Sequence, residues 1–294
     1  MLTEAIEVYR SARLADCDER AFVLTAIGVA HELVREGDHY LLRVDPQAAA
    51  AARAHLARYE DERRTPPPPK PAPPPLHSFA WLGCAVYAMV LFGVAYAVSN
   101  GLGRLDAFSR GELNALQVQH GEWWRAWTAL TLHLSWNHLL ANLGAGVWFG
   151  YLAGRLLGAG VAWALIVLGA GGANLLEGLL ATPSDRAVGA STAVFAALGI
   201  ISAHSWWQRR PLAQHWAVRW SPLTAGVVLL GWLGTSGEHT DVFAHLAGFA
   251  CGVALGAVAA TRRAERALRT VPQPLAGALA LGAMALAWTL ALRN

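Results

Sequence analysis

The sequence predicts an all-α polytopic membrane protein preceded by a small soluble α+β domain, and three observations carry that prediction. Of 294 residues, 55% are hydrophobic and 15% charged, with mean hydropathy +0.34 and thirteen tryptophans, a balance too apolar for a water-soluble chain of this size. From about residue 79 onward, apolar runs close to the ~20-residue length of a bilayer-spanning helix follow one another. A proline-dense segment separates them from a polar N-terminal stretch of mixed charge. The formal charge of +3 is too small for a nucleic-acid footprint, and the arginines fall in short loops instead of one patch. Cys17, Cys84 and Cys251 lie far apart and indicate neither a disulfide framework nor a thiolate metal site. A basic n-region followed by an apolar h-region is missing from the N-terminus, so the first hydrophobic helix is expected to direct insertion.

Taken in order, residues 1–64 read as a β-α-β-β-α unit. Ala5 to Arg10 alternates as a strand, and Asp16 to Val29 has helical spacing through Phe22, Leu24 and Ile27. Ala30–Val34 and His39–Val44 read as strands around the turn Glu36-Gly37-Asp38, and Asp45-Pro46 opens a helix running to about Arg63. His31, His39 and His55 are scattered and point to no chemistry, so the unit is read as a cytoplasmic accessory domain offering a surface to a protein partner. Residues 65–76, with Pro66 to Pro69, Pro71 and Pro73 to Pro75, are expected to extend as a polyproline II linker. The run is compatible with an SH3-type ligand, but a semi-rigid spacer is favoured.

Seven spans are expected, at 79–99, 132–153, 159–181, 189–207, 217–235, 242–261 and 272–292, with a long tryptophan-bearing loop, 101–130, between the first two. The loops after spans two, four and six hold Arg155, then Arg209, Arg210 and Arg219, then Arg262, Arg263, Arg266 and Arg269. The other side has the sparser set Arg104, Arg110, Arg125 and Arg186. The positive-inside rule therefore puts the denser set and the N-terminal domain in the cytoplasm, and the C-terminus outside.

Spans two, four and six then run from outside to inside, and each opens with polar groups. His138 and Asn142 lie one turn apart on one face of span two, Ser191 opens span four, and His245 opens span six. Polar side chains inside a span are costly and mark function by default. Ala244, Gly248, Gly252, Gly256 and Ala260 form a close-approach stripe on span six, and Gly189, Ala193 and Ala197 have the same spacing at span four. Ser191 suits a nucleophile whose own N–H, in an unpaired first turn, adds an oxyanion donor. His245 is favoured as general base, with His138 and Asn142 as donors to the oxyanion. Asp241, one turn before His245, reads as a loop cap instead of a third triad member, leaving a Ser-His dyad. A metal centre lacks the H-E-x-x-H ligand pattern, and a transporter would need charged midplane relays. Glu177 in span three is the exception, near the outer end within reach of water.

These residues resemble the rhomboid intramembrane serine proteases. The matching segments are His133-x-x-x-x-His138-x-x-x-Asn142, Gly189-x-Ser191, Ala244-His245-x-x-Gly248 and Trp124-Arg125 in the long loop, with the resemblance covering roughly 77–262. It implies Ser191 as nucleophile, His245 as base, His138 and Asn142 on the oxyanion side, and His133 supporting the loop. It further implies a six-helix protease core over 77–262 and a water-filled cavity open to the outside. No cofactor or metal is implied. The substrates implied are single-span or polytopic membrane proteins cleaved near small residues of an unstable helix, with the bilayer of a bacterial-type inner membrane as surroundings. Residues 263–294, a basic cytoplasmic loop and a seventh transmembrane helix, fall outside that core. Where the family often has Gly after the serine, this chain has Thr192, while Phe195 and Gly199 keep the pattern. The alternative is a catalytically silent relative that binds or escorts membrane helices.

Overall fold

A computed structural model describes residues 5–64, 76–101, 106–209, 216–234 and 241–293. It divides into two compact units, Met1–Pro74 and Pro75–Asn294. The proline spacer lies outside the described residues, as do Arg104, Arg210 and positions 237–240 ahead of Asp241.

In the first unit, β1 (Ile6–Ser11), α1 (Leu14–Ala26), β2 (His31–Glu36), β3 (His39–Val44) and α2 (Ala49–Arg64) follow in order. The antiparallel sheet has β3 in the centre, order β1-β3-β2. Glu36 pairs with His39 across the two-residue turn Gly37-Asp38, which Gly37 permits at φ +61°. Leu24 of α1, Leu42 and Val44 of β3 and Ala52 and Leu56 of α2 close a small apolar core. Arg20 is buried beside it, bonded to the Glu60 carboxylate and lying 4.6 Å over the Tyr9 ring, so its charge is compensated on both sides.

The second unit is built on seven long helices: α3 (Ala80–Ser99), α7 (Trp136–Leu157), α8 (Ala159–Leu180), α9 (Ser191–Gln208), α10 (Trp216–Gly234), α11 (Val242–Ala259) and α13 (Gln273–Arg293). Of these, α3, α8, α11 and α13 are long and apolar enough to cross a membrane by length and composition. Between α3 and α7 the chain forms short pieces: α4 (Ala107–Gly111), β4 (Leu113–Asn114), α5 (Ala115–Gln119), α6 (Arg125–Thr128) and a 3-10 turn (Ala129–Thr131). A second short strand, β5 (Arg186–Ala187), pairs with β4 and ties this long loop to the approach to α9.

Helix α9 sits at the centre. Every residue from Thr192 to Ile200 is buried, as expected for a helix that is apolar all round. It packs against α7, α8, α10 and α11. Contact with α11 is the tightest: a Cβ on Gly248, Gly252 or Gly256 would lie 2.6, 2.1 or 2.5 Å from the carbonyl oxygens of Thr192, Ala196 and Ile200. Backbone therefore meets backbone, which only glycine allows. The expected stripe on α11 forms this interface, but its counterpart on α9 does not comprise Gly189, Ala193 and Ala197. The face is Thr192, Ala196 and Ile200, with Gly199 set against Phe249 O, because Gly189 precedes the helix and cannot extend a helical row.

Two further expectations are corrected. Helix α7 starts at Trp136, four residues later than 132, because Ser135 caps it by accepting the His138 N–H at 3.2 Å. The expected basic loop after residue 262 is largely a helix, α12 (Arg262–Thr270), opened by the Thr261 hydroxyl and braced by a Glu265–Arg269 pair one turn apart. Gln273 then joins α13 to the α7–α8 junction, accepting from Val161 N and donating to Leu157 O.

Candidate active site

The chain enters α9 through Gly189 and Ala190. Gly189 has φ +136°, a region side chains avoid, and its N–H donates to Ala129 O at 3.0 Å. A Cβ there would lie 2.8 and 2.9 Å from Cε1 and Nε2 of His138, and 3.5 Å from Asn142 Nδ2. The glycine thus lets the backbone touch both side chains. Ala190 N donates to His133 Nε2 at 3.4 Å, which requires that nitrogen to be unprotonated. Ser191 is the first residue of α9 and half-buried, immediately beyond this contact.

From α7 come His138 and Asn142, one turn apart. The Tyr87 hydroxyl of α3 donates to the Asn142 backbone carbonyl at 3.0 Å, and Tyr87 stacks on Trp163 of α8 at 4.7 Å. Asn142 is buried, and its Nδ2 has no hydrogen-bond partner among the described residues. An unmet buried donor costs about 1–3 kcal/mol, so it is poised for an acceptor. His133 lies ahead of the helix and packs edge-on against His138, ring centroids 5.1 Å apart.

The third contribution is α11. Asp241 caps it by accepting from Ala244 N at 2.9 Å, and Glu177 of α8 lines the same cavity as the Asp241 carboxyl group. Glu177 is 5% exposed and lines this polar cavity together with Asp185, Arg186 and Asp241, beside the start of α11. One turn later His245 is buried, its ring 4.5 Å from Phe195 and inclined by 41°. Phe195 is four residues after Ser191 and so lies beneath it on one face of α9. His138 and His245 are close enough for their charges to interact. Thr192, 3% exposed, turns its methyl toward Gly248 and forms part of the α9–α11 seam.

Trp124 and Arg125 stand apart from this group, in the loop. Arg125 is buried, pairs with Glu122 at 2.6 Å and donates to the carbonyls of Ser109 at 2.8 Å and Glu112 at 2.9 Å, binding α4 to α6. Trp124 is the N-cap of α6, and its carbonyl accepts from Trp127 and Thr128. Sequence reasoning missed Ser135 and Tyr87. The serine had a legible signal as a capping residue before an apolar run; the tyrosine was one aromatic among many in a span.

Comparison with known proteins bears on the same residues. Positions 120–262 match the family model described as Rhomboid domain. A Bacillus subtilis (strain 168) protein described as "Putative rhomboid protease YdcA" is 28% identical over 152 residues, 51% of this chain and 74% of the relative. The family match takes in every residue discussed above from Trp124 to Gly248. With four helices among the described residues apolar enough to cross a bilayer, this chain is a multi-pass membrane protein whose residues 120–262 match the rhomboid family model.

Proposed function

We propose that the protein is an intramembrane serine endopeptidase that cleaves transmembrane segments of other membrane proteins through a Ser191–His245 dyad. The observation that carries this is the His245 ring lying on Phe195, one turn below Ser191 on the same face of α9. In this reading the Ser191 hydroxyl attacks the scissile carbonyl while His245 takes its proton. The resulting oxyanion accepts from the unpaired Asn142 amide, from His138 and from the Ser191 N–H at the helix start, each donor adding on the order of 10²–10³ in rate. His245 then passes the proton to the leaving amine, and water attacks the acyl-enzyme by the reverse sequence.

His133, Gly189, Gly248, Trp124 and Arg125 act as supports. The domain comprises a six-helix core over 77–262, with α13 as an added seventh span and residues 1–64 as a cytoplasmic accessory domain. The site opens to the outer side of a plasma membrane. Support for this orientation comes from the arginines that follow spans two, four and six.

Purified protein incubated with a labelled single-span substrate provides the test. Wild type is expected to cleave and to be labelled by a fluorophosphonate at Ser191, whereas Ser191→Ala and His245→Ala do neither. Wild-type rates in either variant would refute the dyad.

A further inference from the structure

The last helix of the chain ends on the loop that supports the candidate site. Gln273 fixes the start of α13 at the α7–α8 junction. From there α13 runs roughly 22 Å to Trp288, at 1.5 Å per residue, and packs on α4 and α6. Trp288 is half-buried, with its ring set against Gly111. A Cβ on Gly111 would lie 2.6 and 3.1 Å from Cη2 and Cζ3 of the indole, so the glycine makes the recess that admits the ring. The indole N–H donates to the Thr131 hydroxyl at 3.1 Å. An indole nitrogen can only donate, and here its acceptor is a buried side chain on the loop.

Thr131 ends the 3-10 turn Ala129–Thr131, a form with poorer hydrogen-bond geometry than an α-helix. The Thr131 hydroxyl donates on to Thr128 O at 2.8 Å, and the Thr128 hydroxyl to Gly111 O at 2.7 Å. Two bonds then lead from this turn toward the site. Ala129 O accepts from Gly189 N at 3.0 Å, and His133, just beyond Thr131, accepts from Ala190 N at 3.4 Å. Gly189 is the residue whose backbone lies against His138 and Asn142. A continuous run of contacts therefore joins Trp288, through Thr131 and Ala129, to the backbone that enters Ser191.

We propose that Trp288 is a positioning residue, through which α13 holds the 3-10 turn and with it the Gly189–Ser191 backbone in the geometry the oxyanion donors need. This rests on the reading of Ser191 as nucleophile. Helix α13 lies outside the matched residues 120–262, so the restraint reaches the site from beyond the matched domain. A helix serving only as one more membrane anchor would need no polar bond to the loop, because lipid covers an apolar helix as well as protein does.

The test uses the full-length protein in detergent and reads amide hydrogen exchange over 187–191 beside kcat and KM for a labelled single-span substrate. Trp288→Phe keeps a ring in the Gly111 recess and removes the N–H. It is expected to speed exchange at Gly189 by about tenfold, the change expected from losing one hydrogen bond. It should also lower kcat by about tenfold with KM unchanged. Thr131→Val removes the acceptor and should give the same losses, and the two changes together should cost no more than either alone. Leu286→Ala, on the exposed face of α13, should match wild type in every reading. Wild-type exchange over 187–191 in Trp288→Phe overturns the proposal. So does an equal loss in Leu286→Ala, or a rise in KM with kcat intact. If wild type itself does not cleave, the dyad reading fails, and the exchange measurement still decides the role of Trp288.

Discussion

His245 rests on the face of Phe195, with ring centroids 4.5 Å apart and planes at 41°. The contact joins α9 to α11 at the depth of Ser191 and fixes where the imidazole sits, because both rings are buried. Its neighbour along the same seam is the Gly248–Thr192 approach, which sets the spacing of the two helices.

Removing the ring while keeping much of the apolar volume should uncouple position from stability. Phe195→Leu is expected to cost under about 1.5 kcal/mol of stability yet to lower cleavage by about 10²-fold, the penalty of a base misplaced by ~1 Å. Thermal unfolding in detergent beside substrate turnover separates the two effects; an unchanged rate would mean that Phe195 does not position His245.

Gly189→Ala should be far more damaging than its one added carbon suggests. The backbone there is at φ +136°, and the new Cβ would strike the His138 ring at 2.8 Å. Strain of about 1–3 kcal/mol is expected, with cleavage reduced on the order of 10²–10³-fold as the oxyanion donors are pushed aside. Retained fluorophosphonate labelling of Ser191 alongside that loss would locate the defect on the oxyanion side and not in the nucleophile.

Glycine in the helices should divide into two kinds. Gly252→Ala places a Cβ 2.1 Å from Ala196 O, a backbone atom that cannot swing away, and should destabilise by about 1–3 kcal/mol or more. Gly93→Ala in α3 meets nothing within 4 Å and should be neutral or stabilising by up to about 1 kcal/mol through helix propensity. The melting temperature is expected to fall for Gly252→Ala and to hold or rise for Gly93→Ala.

In the N-terminal unit, the Tyr59 hydroxyl donates to Glu19 and holds its carboxyl below the ordinary value of 4.5, with Arg63 and Arg20 adding to the effect. A carboxylate depressed in the folded state contributes stability above its unfolded value, and that contribution is lost as pH falls through the folded value. Protection of α1 and α2 against hydrogen exchange, corrected for intrinsic rates, should hold at neutral pH and fall below 4.5. Glu19→Gln should flatten that response; an identical acid dependence in the variant would assign it to another group.

Much of the candidate site could be read in the chain because its chemistry depends on residue types that apolar spans otherwise avoid. Ser191, His245, His138 and Asn142 stood out for that reason, and the hairpin around Gly37 and the strand His39–Val44 were legible from alternation and turn chemistry. The Thr192 departure was visible too, but only packing gave it a place, buried against Gly248 and away from solvent.

What the sequence by itself determined was membrane character, the proline boundary and the identity of the polar groups, since these follow from composition and local spacing. Tertiary structure alone decided which face of α9 meets α11, that Tyr87 holds the Asn142 backbone, that Glu177 and Asp241 line one cavity, and that α13 leaves a groove beside α3. The physical reason is rotational: one residue of shift turns a helix face by about 100°, and a helix apolar all round, such as α9, carries no hydrophobic stripe to fix that rotation. Only the close approach of glycine backbone to carbonyl oxygen fixes it.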